Sequence, residues 1–435
     1  MNAKALYQRI EQLEAENLEL KKQLLATQKK IIELEQRLLS YENAHTPSSK
    51  TKKKRPPREK SNRGLGAPVG HEKWVREQPE PAQTVEHKQE TCPDCGSSLK
   101  ESIFIERRVI EDTPEPAPIE VIEHLIHHYI CLCCGKKIVA PHALPKTYFG
   151  PNLQTHVTLL KYDDRLPLRK VVRALERTHN IHLTNVAVLN MTNRTANALR
   201  PEYEKLVQLV RASKVVYVDE TEIKIDGKRW WIWVFVSEHG TVYVIRDTRS
   251  KKVAEEILGL DYSGVVTSDG YSAYSKYMHR QRCWAHILRE AKQLLIDHPS
   301  FDLFSKKLKS LFGEIKNIRE KPPSLKERLT LKVALEQCMQ QLIDTLNSHK
   351  PFQGLATKLR NGAGAWFTCI EHLFVEPTNN KAERALRELI VQRKIIGGLR
   401  AQEGADTMSI INTMLATWQA QGLPIFQTLK NALNR

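Results

Sequence analysis

Two aspartates stand at the ends of apolar, β-branched runs. The first run reads Val215-Val216-Tyr217-Val218-Asp219-Glu220-Thr221, and the second reads Gly264-Val265-Val266-Thr267-Ser268-Asp269-Gly270. Short runs of this kind read as buried strands. Carboxylates at the ends of neighbouring buried strands can be held close together without flexible loops. Two fixed carboxylates are what a pair of hard divalent cations requires, and such pairs catalyse phosphodiester chemistry. Asp219 is flanked by Glu220 and Glu222, a local negative density that is unfavourable without cations. Asp226 and Asp247 are acids of the plainer kind that cap turns. A third metal ligand must come from further along, and the residues alone do not choose among Glu371, Glu376 and Glu383.

A second metal-type pattern lies upstream. Cys92-Pro93-Asp94-Cys95-Gly96 and Cys131-Leu132-Cys133-Cys134-Gly135 are two Cys-x-x-Cys knuckles, each followed by glycine. Cys92, Cys95, Cys131 and Cys134 suit a tetrahedral structural Zn²⁺ with no open position for catalysis. Cys133, His127 and His128 are alternative ligands. Alternating stretches at 102–106 and 120–124 predict a β-ribbon between the knuckles. Cys283 and His286 also lie one helical turn apart. They could join a metal, but a packed cysteine beside a hydrogen-bonded histidine is the plainer reading.

The elements that must position these groups follow from patterning. The chain has 435 residues, of which 41% are hydrophobic, enough for several domains and a sizeable core. Lys and Arg number 67 against 50 Asp and Glu, a net charge of +17. That surplus favours a polyanionic partner, nucleic acid above all. No apolar run reaches the length of a membrane span. Met1-Asn2-Ala3-Lys4 leads into a charged helix and not an apolar signal core. Eight cysteines in so long a chain form no disulfide framework, so the expected setting is a reducing cytoplasm with no membrane partner.

Residues 1–43 carry a heptad pattern. Leu6, Leu13, Leu20, Thr27, Leu34 and Tyr41 form one seam, and Ile10, Asn17, Leu24, Ile31 and Leu38 the other. This predicts a coiled coil, with Asn17 favouring a parallel homodimer. Residues 44–70 read as a basic linker, with eight basic residues and one acid between Lys50 and Arg63. Residues 71–148 form the zinc-ribbon segment. Within 149–212, a helix from Leu168 to His179, a short turn and a Thr184-capped helix read as a helix-turn-helix. Asn185, Asn190, Asn193 and Arg194 are its DNA-binding candidates.

Strands are expected at Lys214–Val218, Trp230–Val236 and Thr241–Arg246, then a helix at Lys252–Leu258 and a strand at Val265–Ser268. Three antiparallel strands, a helix and a carboxylate-bearing strand are the order of a ribonuclease-H-like fold. Trp230, Trp231 and Trp233 are read as strand residues that pack in the core. The overall expectation is multidomain α+β. The catalytic core covers 213–282 and 366–400, a helical insertion 283–365, and a helical tail 401–435.

Four motifs occur in order: Asp219-Glu220-Thr221; Ser268-Asp269-Gly270-Tyr271 with Tyr274; Cys283-Trp284-Ala285-His286; and Thr378-Asn379-Asn380-Lys381-Ala382-Glu383-Arg384. The series resembles the transposases of the insertion-sequence-66 family, bacterial mobile-element enzymes of the Asp-Asp-Glu type on a ribonuclease-H-like core. The resemblance extends over nearly the whole chain, and the Asn-Asn-x-Ala-Glu-Arg block is its most specific part. It implies that Glu383 is the third catalytic ligand, on a helix capped by Thr378 or Asn379. It also implies two-metal phosphoryl transfer with Mg²⁺, or Mn²⁺ in its place, on element-end and target DNA near the nucleoid. Helper proteins of the same element are implied partners. Arg384, Arg387, Arg393, Lys394 and Arg400 follow Glu383; Arg384 and Arg387, one turn apart, could clamp phosphates, and Arg393 and Lys394 are further DNA-binding candidates. Two rival readings are a zinc-containing DNA-binding regulator without chemistry and a ribonuclease-H-like nuclease that does not rejoin ends.

Overall fold

The computed structural model describes residues 12–13, 16–28, 30–32, 34, 80–99, 102–111, 115–141 and 147–434. The chain divides into two units, Met1–Ala117 and Pro118–Arg435. In the first, residues 16–28 form helix α1, with Leu20 and Leu24 of the two heptad seams exposed. The remaining heptad positions fall partly, and the 44–70 linker wholly, outside the described residues.

Each cysteine knuckle is built the same way, one in each unit. In the first, the Cys92 amide donates to Ser97 O (2.8 Å) and the Gly96 amide to Cys92 O (2.9 Å). In the second, the Cys131 amide donates to Lys136 O (2.9 Å) and the Gly135 amide to Cys131 O (2.8 Å). Gly96 and Gly135 take φ of 72° and 68°, which a residue with a Cβ adopts only with strain. The predicted ribbon differs from what forms. Residues 102–106 and 120–124 are in no ladder. The strands of the second unit's knuckle are β1 (His128–Ile130) and β2 (Lys137–Val139), paired antiparallel around Cys131–Cys134. Alternating sequence makes a strand only where a partner strand answers it in register.

The second unit then runs through three helices: α2 (Pro151–Tyr162), α3 (Leu168–His179) and α4 (Asn185–Arg211). Thr184 caps α4, its Oγ1 accepting from the Ala187 amide (3.0 Å), and Asn180 closes α3 in the left-handed region. Val157, Val171, Leu175, Ile181, Val188 and Met191 pack these helices together. The sequence predicts α3 and the start of α4. It underestimates α4, which continues past Ala196 so that Leu206 and Val210 pack with Val216 and Phe235 of the sheet.

The sheet has five strands in the order β5-β4-β3-β6-β7. They are β3 (Val215–Ile225), β4 (Lys228–Val236), β5 (Thr241–Arg246), β6 (Val265–Ser268) and β7 (Arg280–Arg282), with helix α5 (Lys251–Leu258) between β5 and β6. β3, β4 and β5 are antiparallel neighbours. β6 and β7 run parallel to β3. One correction concerns Asp219: it does not end its strand, because β3 continues to Ile225 against β4. What ends near Asp219 is the pairing with β6, whose last pair is Tyr217↔Thr267.

The helical segment after β7 comprises α6 (Trp284–Asp297), α7 (Asp302–Glu320), α8 (Leu325–Asn347), α9 (Gln353–Asn361) and α10 (Thr368–Glu371). Its apolar core is continuous with one face of the sheet. The Trp284 ring centroid lies 5.6 Å from each of those of Phe312, Trp366 and Phe367, edge-on to Trp366 and tilted to the other two. The last helices are α11 (Asn380–Ile396), α12 (Gln402–Ala420) and α13 (Ile425–Leu433). The predicted tail is not peripheral. α12 is buried along most of its length and covers edge strand β5. Thr413 Oγ1 accepts from the Tyr243 amide (2.8 Å) and Thr417 Oγ1 from the Thr241 amide (3.1 Å). Residues four apart on a helix thus satisfy donors two apart on a strand, which closes an edge otherwise open to pairing. Among the described residues no helix is long and apolar enough to cross a membrane.

Candidate active site

Strand register brings the two aspartates level. Beyond the last β3–β6 pair, Tyr217↔Thr267, Asp219 and Asp269 each lie two residues on. Parallel neighbours are about 4.8 Å apart, so the two acids occupy the same step of adjacent strands. β7 extends this row. Its last pair with β6 is Ser268↔Arg282, so Cys283 follows at the level of Asp269, and the Cys283 amide donates to Ser268 O (3.0 Å). Asp219, Asp269 and Cys283 therefore stand side by side past the carboxyl ends of the parallel pairing, the edge where open α/β sheets commonly bind ligands.

Glu383 reaches this edge through Asn379, at the N-cap position of α11. Its side chain does not cap the helix. Instead the fully buried Asn379 donates from Nδ2 to Val218 O (2.8 Å) and from its amide to Cys283 Sγ (3.1 Å). One residue thus ties the start of α11 to the strand just before Asp219 and to the end of β7. Glu383 lies one turn into α11, 3.5 Å from His286 Nε2 and 3.4 Å from Arg289 Nη2. The ligand atoms of Cys283, His286 and Glu383 all lie within 4.8 Å of one another.

The electrostatics agree with this placement. The Asp219 carboxyl is pushed up to about 7, first by burial, then by the charge of Glu220, and further by Asp269 and Glu383. Like charges raise one another's pKa only at short range. Burial raises the Glu220 carboxyl too, but Glu220 has specific partners that offset part of the effect. Its Oε1 accepts from Arg249 Nε (3.0 Å) and Nη2 (2.7 Å), and its Oε2 accepts from Tyr274 Oη (2.6 Å). The Arg249 guanidinium lies between the Trp231 and Tyr271 rings, 4.7 and 4.1 Å from their centroids. Tyr271 Oη also donates to Arg249 O (2.6 Å). The tyrosines of the Asp269-Gly270-Tyr271-x-x-Tyr274 motif therefore anchor the acid beside Asp219. Gly270 sits within it at φ 104°, a backbone conformation that a residue with a Cβ adopts only with strain.

The profile of the transposase IS66 family matches residues 146–407, more than half of the chain. The chain belongs to the IS66 transposase family. Two proteins of Sinorhizobium fredii (strain NBRC 101917 / NGR234) are similar to it. The uncharacterized protein y4jD is 22% identical over 398 residues, covering 81% of this chain and 75% of that protein. The uncharacterized protein y4hP is 22% identical over 386 residues, covering 75% and 67%.

In this IS66-family transposase the matched segment spans the helical domain, the sheet, the inserted helices and α11. Several sequence candidates have other employment. Asn193 donates to Glu403 Oε1 (2.7 Å) and accepts from Thr407 Oγ1 (2.9 Å), joining α4 to α12. Arg393 is buried and donates to Thr221 Oγ1 (3.1 Å) and to Glu222 O, holding α11 on β3. Arg194 is half-buried, with an Nε that has no hydrogen-bond partner. Asn185, Asn190, Arg384, Arg387, Lys394 and Arg400 are exposed. Trp233 is fully buried as core. Of the other acids weighed with Glu383, Glu371 is paired with Lys332 (2.7 Å) and Glu376 faces Arg319 (3.7 Å). Sequence reasoning overlooked Arg249 and the role of Asn379. Their signal was present only as a motif, because neither an arginine after a strand nor a buried asparagine announces its partner.

Proposed function

We propose that this IS66-family chain is the enzyme that cuts at the ends of a mobile DNA element and joins the freed 3′-OH to target DNA, with Asp219, Asp269 and Glu383 as its catalytic carboxylates. What supports the reading most is strand register, which sets Asp219 and Asp269 level on neighbouring strands, together with Asn379, which ties the start of Glu383's helix to Val218 O. Three acids from separate stretches of chain share one neighbourhood, with the Arg282 and Arg249 charges near Asp269 and Arg289 against Glu383. Among the described residues, Arg289 pairs with Glu383, and Arg249 pairs with Glu220.

The donor set fits hard divalent cations, and Asp219, Asp269 and Glu383 would hold Mg²⁺ or Mn²⁺. Bound there, such ions neutralise charge on the reacting phosphodiester and lower the pKa of the attacking oxygen's proton. The protein itself sets the carboxylates at fixed positions through strand register and Asn379. It also offers Arg384, Arg387 and Lys394 on the exposed face of α11 to DNA phosphates. The strand order β5-β4-β3-β6-β7 supports a ribonuclease-H-like reading of the core. The matched turns of the two knuckles support a structural Zn²⁺ on Cys92, Cys95, Cys131 and Cys134. Exposed Leu20 and Leu24 support homodimerisation through residues 1–43. Cytoplasmic action on nucleoid DNA and dependence on helper proteins belong to the same proposal.

The test is a labelled element-end duplex with Mg²⁺ or Mn²⁺, scored for both nicked and joined products. Nicking and joining together support the proposal. Nicking without joining would favour a nuclease, and binding without either a regulator.

A further inference from the structure

The cluster of Cys283, His286 and Glu383 has a chemistry that the carboxylate site does not need. Mg²⁺ takes oxygen ligands and disregards thiolate and imidazole. A thiolate, an imidazole and a carboxylate together are the ligand set of zinc-class ions. Cys283 stands at the N-cap of α6 and His286 one turn further on, and Glu383 comes from α11 with an oxygen 3.5 Å from His286 Nε2. The three ligand atoms lie within 4.8 Å of one another. Tetrahedral zinc bonds of about 2.0–2.3 Å place ligand atoms roughly 3.3–3.8 Å apart, so a contraction of about 1 Å around an ion suffices.

We propose that Cys283, His286 and Glu383 form a binding site for a thiophilic divalent cation of the zinc class, separate from the cysteine knuckles and touching the carboxylate site through Glu383. The surroundings support a metal-bound thiolate. Cys283 Sγ accepts the Asn379 amide at 3.1 Å, which orients the sulfur and disperses its charge as outer partners of metal thiolates do. His286 Nδ1 is buried without a hydrogen-bond partner, so no second group competes to fix the ring by a different bond. His286 and Glu383 are half-exposed, which leaves a route for the ion. Three protein ligands also leave one position open, unlike a four-thiolate knuckle. The proposal stands whether or not Glu383 is catalytic.

The experiment is a Co²⁺ titration of the full chain whose knuckles are already loaded with Zn²⁺, in saturating Mg²⁺. The readout is thiolate-to-cobalt charge-transfer absorption. One further equivalent of Co²⁺ with that absorption is expected. Cys283→Ser should abolish the band, His286→Asn should weaken binding by more than about tenfold, and Asp219→Asn should keep the band. Absence of the band in the unsubstituted chain overturns the proposal. So does a band that survives Cys283→Ser, because the sulfur would then belong elsewhere. If Cys283→Ser does not fold, His286→Asn decides alone: undiminished Co²⁺ affinity in that variant also overturns the site.

Discussion

The two cysteine knuckles and the carboxylate edge of the sheet are both read as metal sites, yet they are made in opposite ways. Each knuckle is a turn of a few residues, closed by two backbone hydrogen bonds and a left-handed glycine, and both copies show the same bonds. The carboxylate edge has no such local unit. Asp219 and Asp269 become neighbours through parallel register, and Glu383 joins them because Asn379 grips Val218 O and Cys283 Sγ. A knuckle is therefore sensitive to changes within itself. The carboxylate edge is sensitive to substitutions distant in the chain.

The largest expected effect is on the knuckle side. A strong chelator should make residues 80–141 protease-sensitive while 151–434 keep their protection, because apparent zinc binding in such motifs reaches about 10 kcal/mol and is coupled to folding. Mapped proteolytic fragments check this, and equal resistance with and without chelator would remove zinc from the knuckles. Next in size, Asp219→Asn, Asp269→Asn and Glu383→Gln should each reduce strand cleavage at least about a thousandfold, as loss of one member of a catalytic unit does. DNA affinity in a gel-shift assay should persist. Full cleavage by any one variant would strike that residue from the site.

A third contrast is in pH dependence. In the metal-free protein the folded Asp219 carries a carboxyl raised from its ordinary 3.8 to about 7. Between those values the folded state holds a proton that the unfolded chain has released. Stability therefore falls as pH rises through this window and levels off above it, by on the order of 4 kcal/mol at most. Asp219→Asn should flatten that slope and raise Tm above neutrality, and saturating Mg²⁺ should do the same for the unsubstituted chain. Thermal unfolding on either side of neutrality measures it, and a slope unchanged in the variant would assign it to other groups. Smallest is the effect of the remote ties. Asn379→Ala and Arg393→Ala should each lower stability by about 1–3 kcal/mol. For Arg393 this replaces the expectation of a direct DNA contact. An Arg393→Ala chain of unchanged stability and weakened DNA binding would restore it.

Much of this was legible in advance because it is local. The knuckle glycines, the Thr184 cap, α3 and the strands β4, β5 and β6 follow from short patterns of residue type. The Asp269 turn was legible for the same reason. The run of β3 past Asp219 was not, because Glu220, Thr221 and Glu222 look like a strand end, and only β4 opposite them keeps the strand extended. The role of α12 was hidden too, since threonines at 413 and 417 acquire meaning only against the free edge of β5.

The sequence by itself determined which groups are available: a basic chain, paired thiol knuckles with their turns, and a small number of acids in motif contexts. Those follow from side-chain chemistry and from backbone preferences that act over a few residues. Tertiary structure alone decided which acids meet, that Glu220 pairs with Arg249, and that Cys283 and His286 converge on Glu383. Such pairings depend on sheet register and helix docking. These are set by the burial of an apolar core spread over the whole second unit, and no short stretch of chain encodes them.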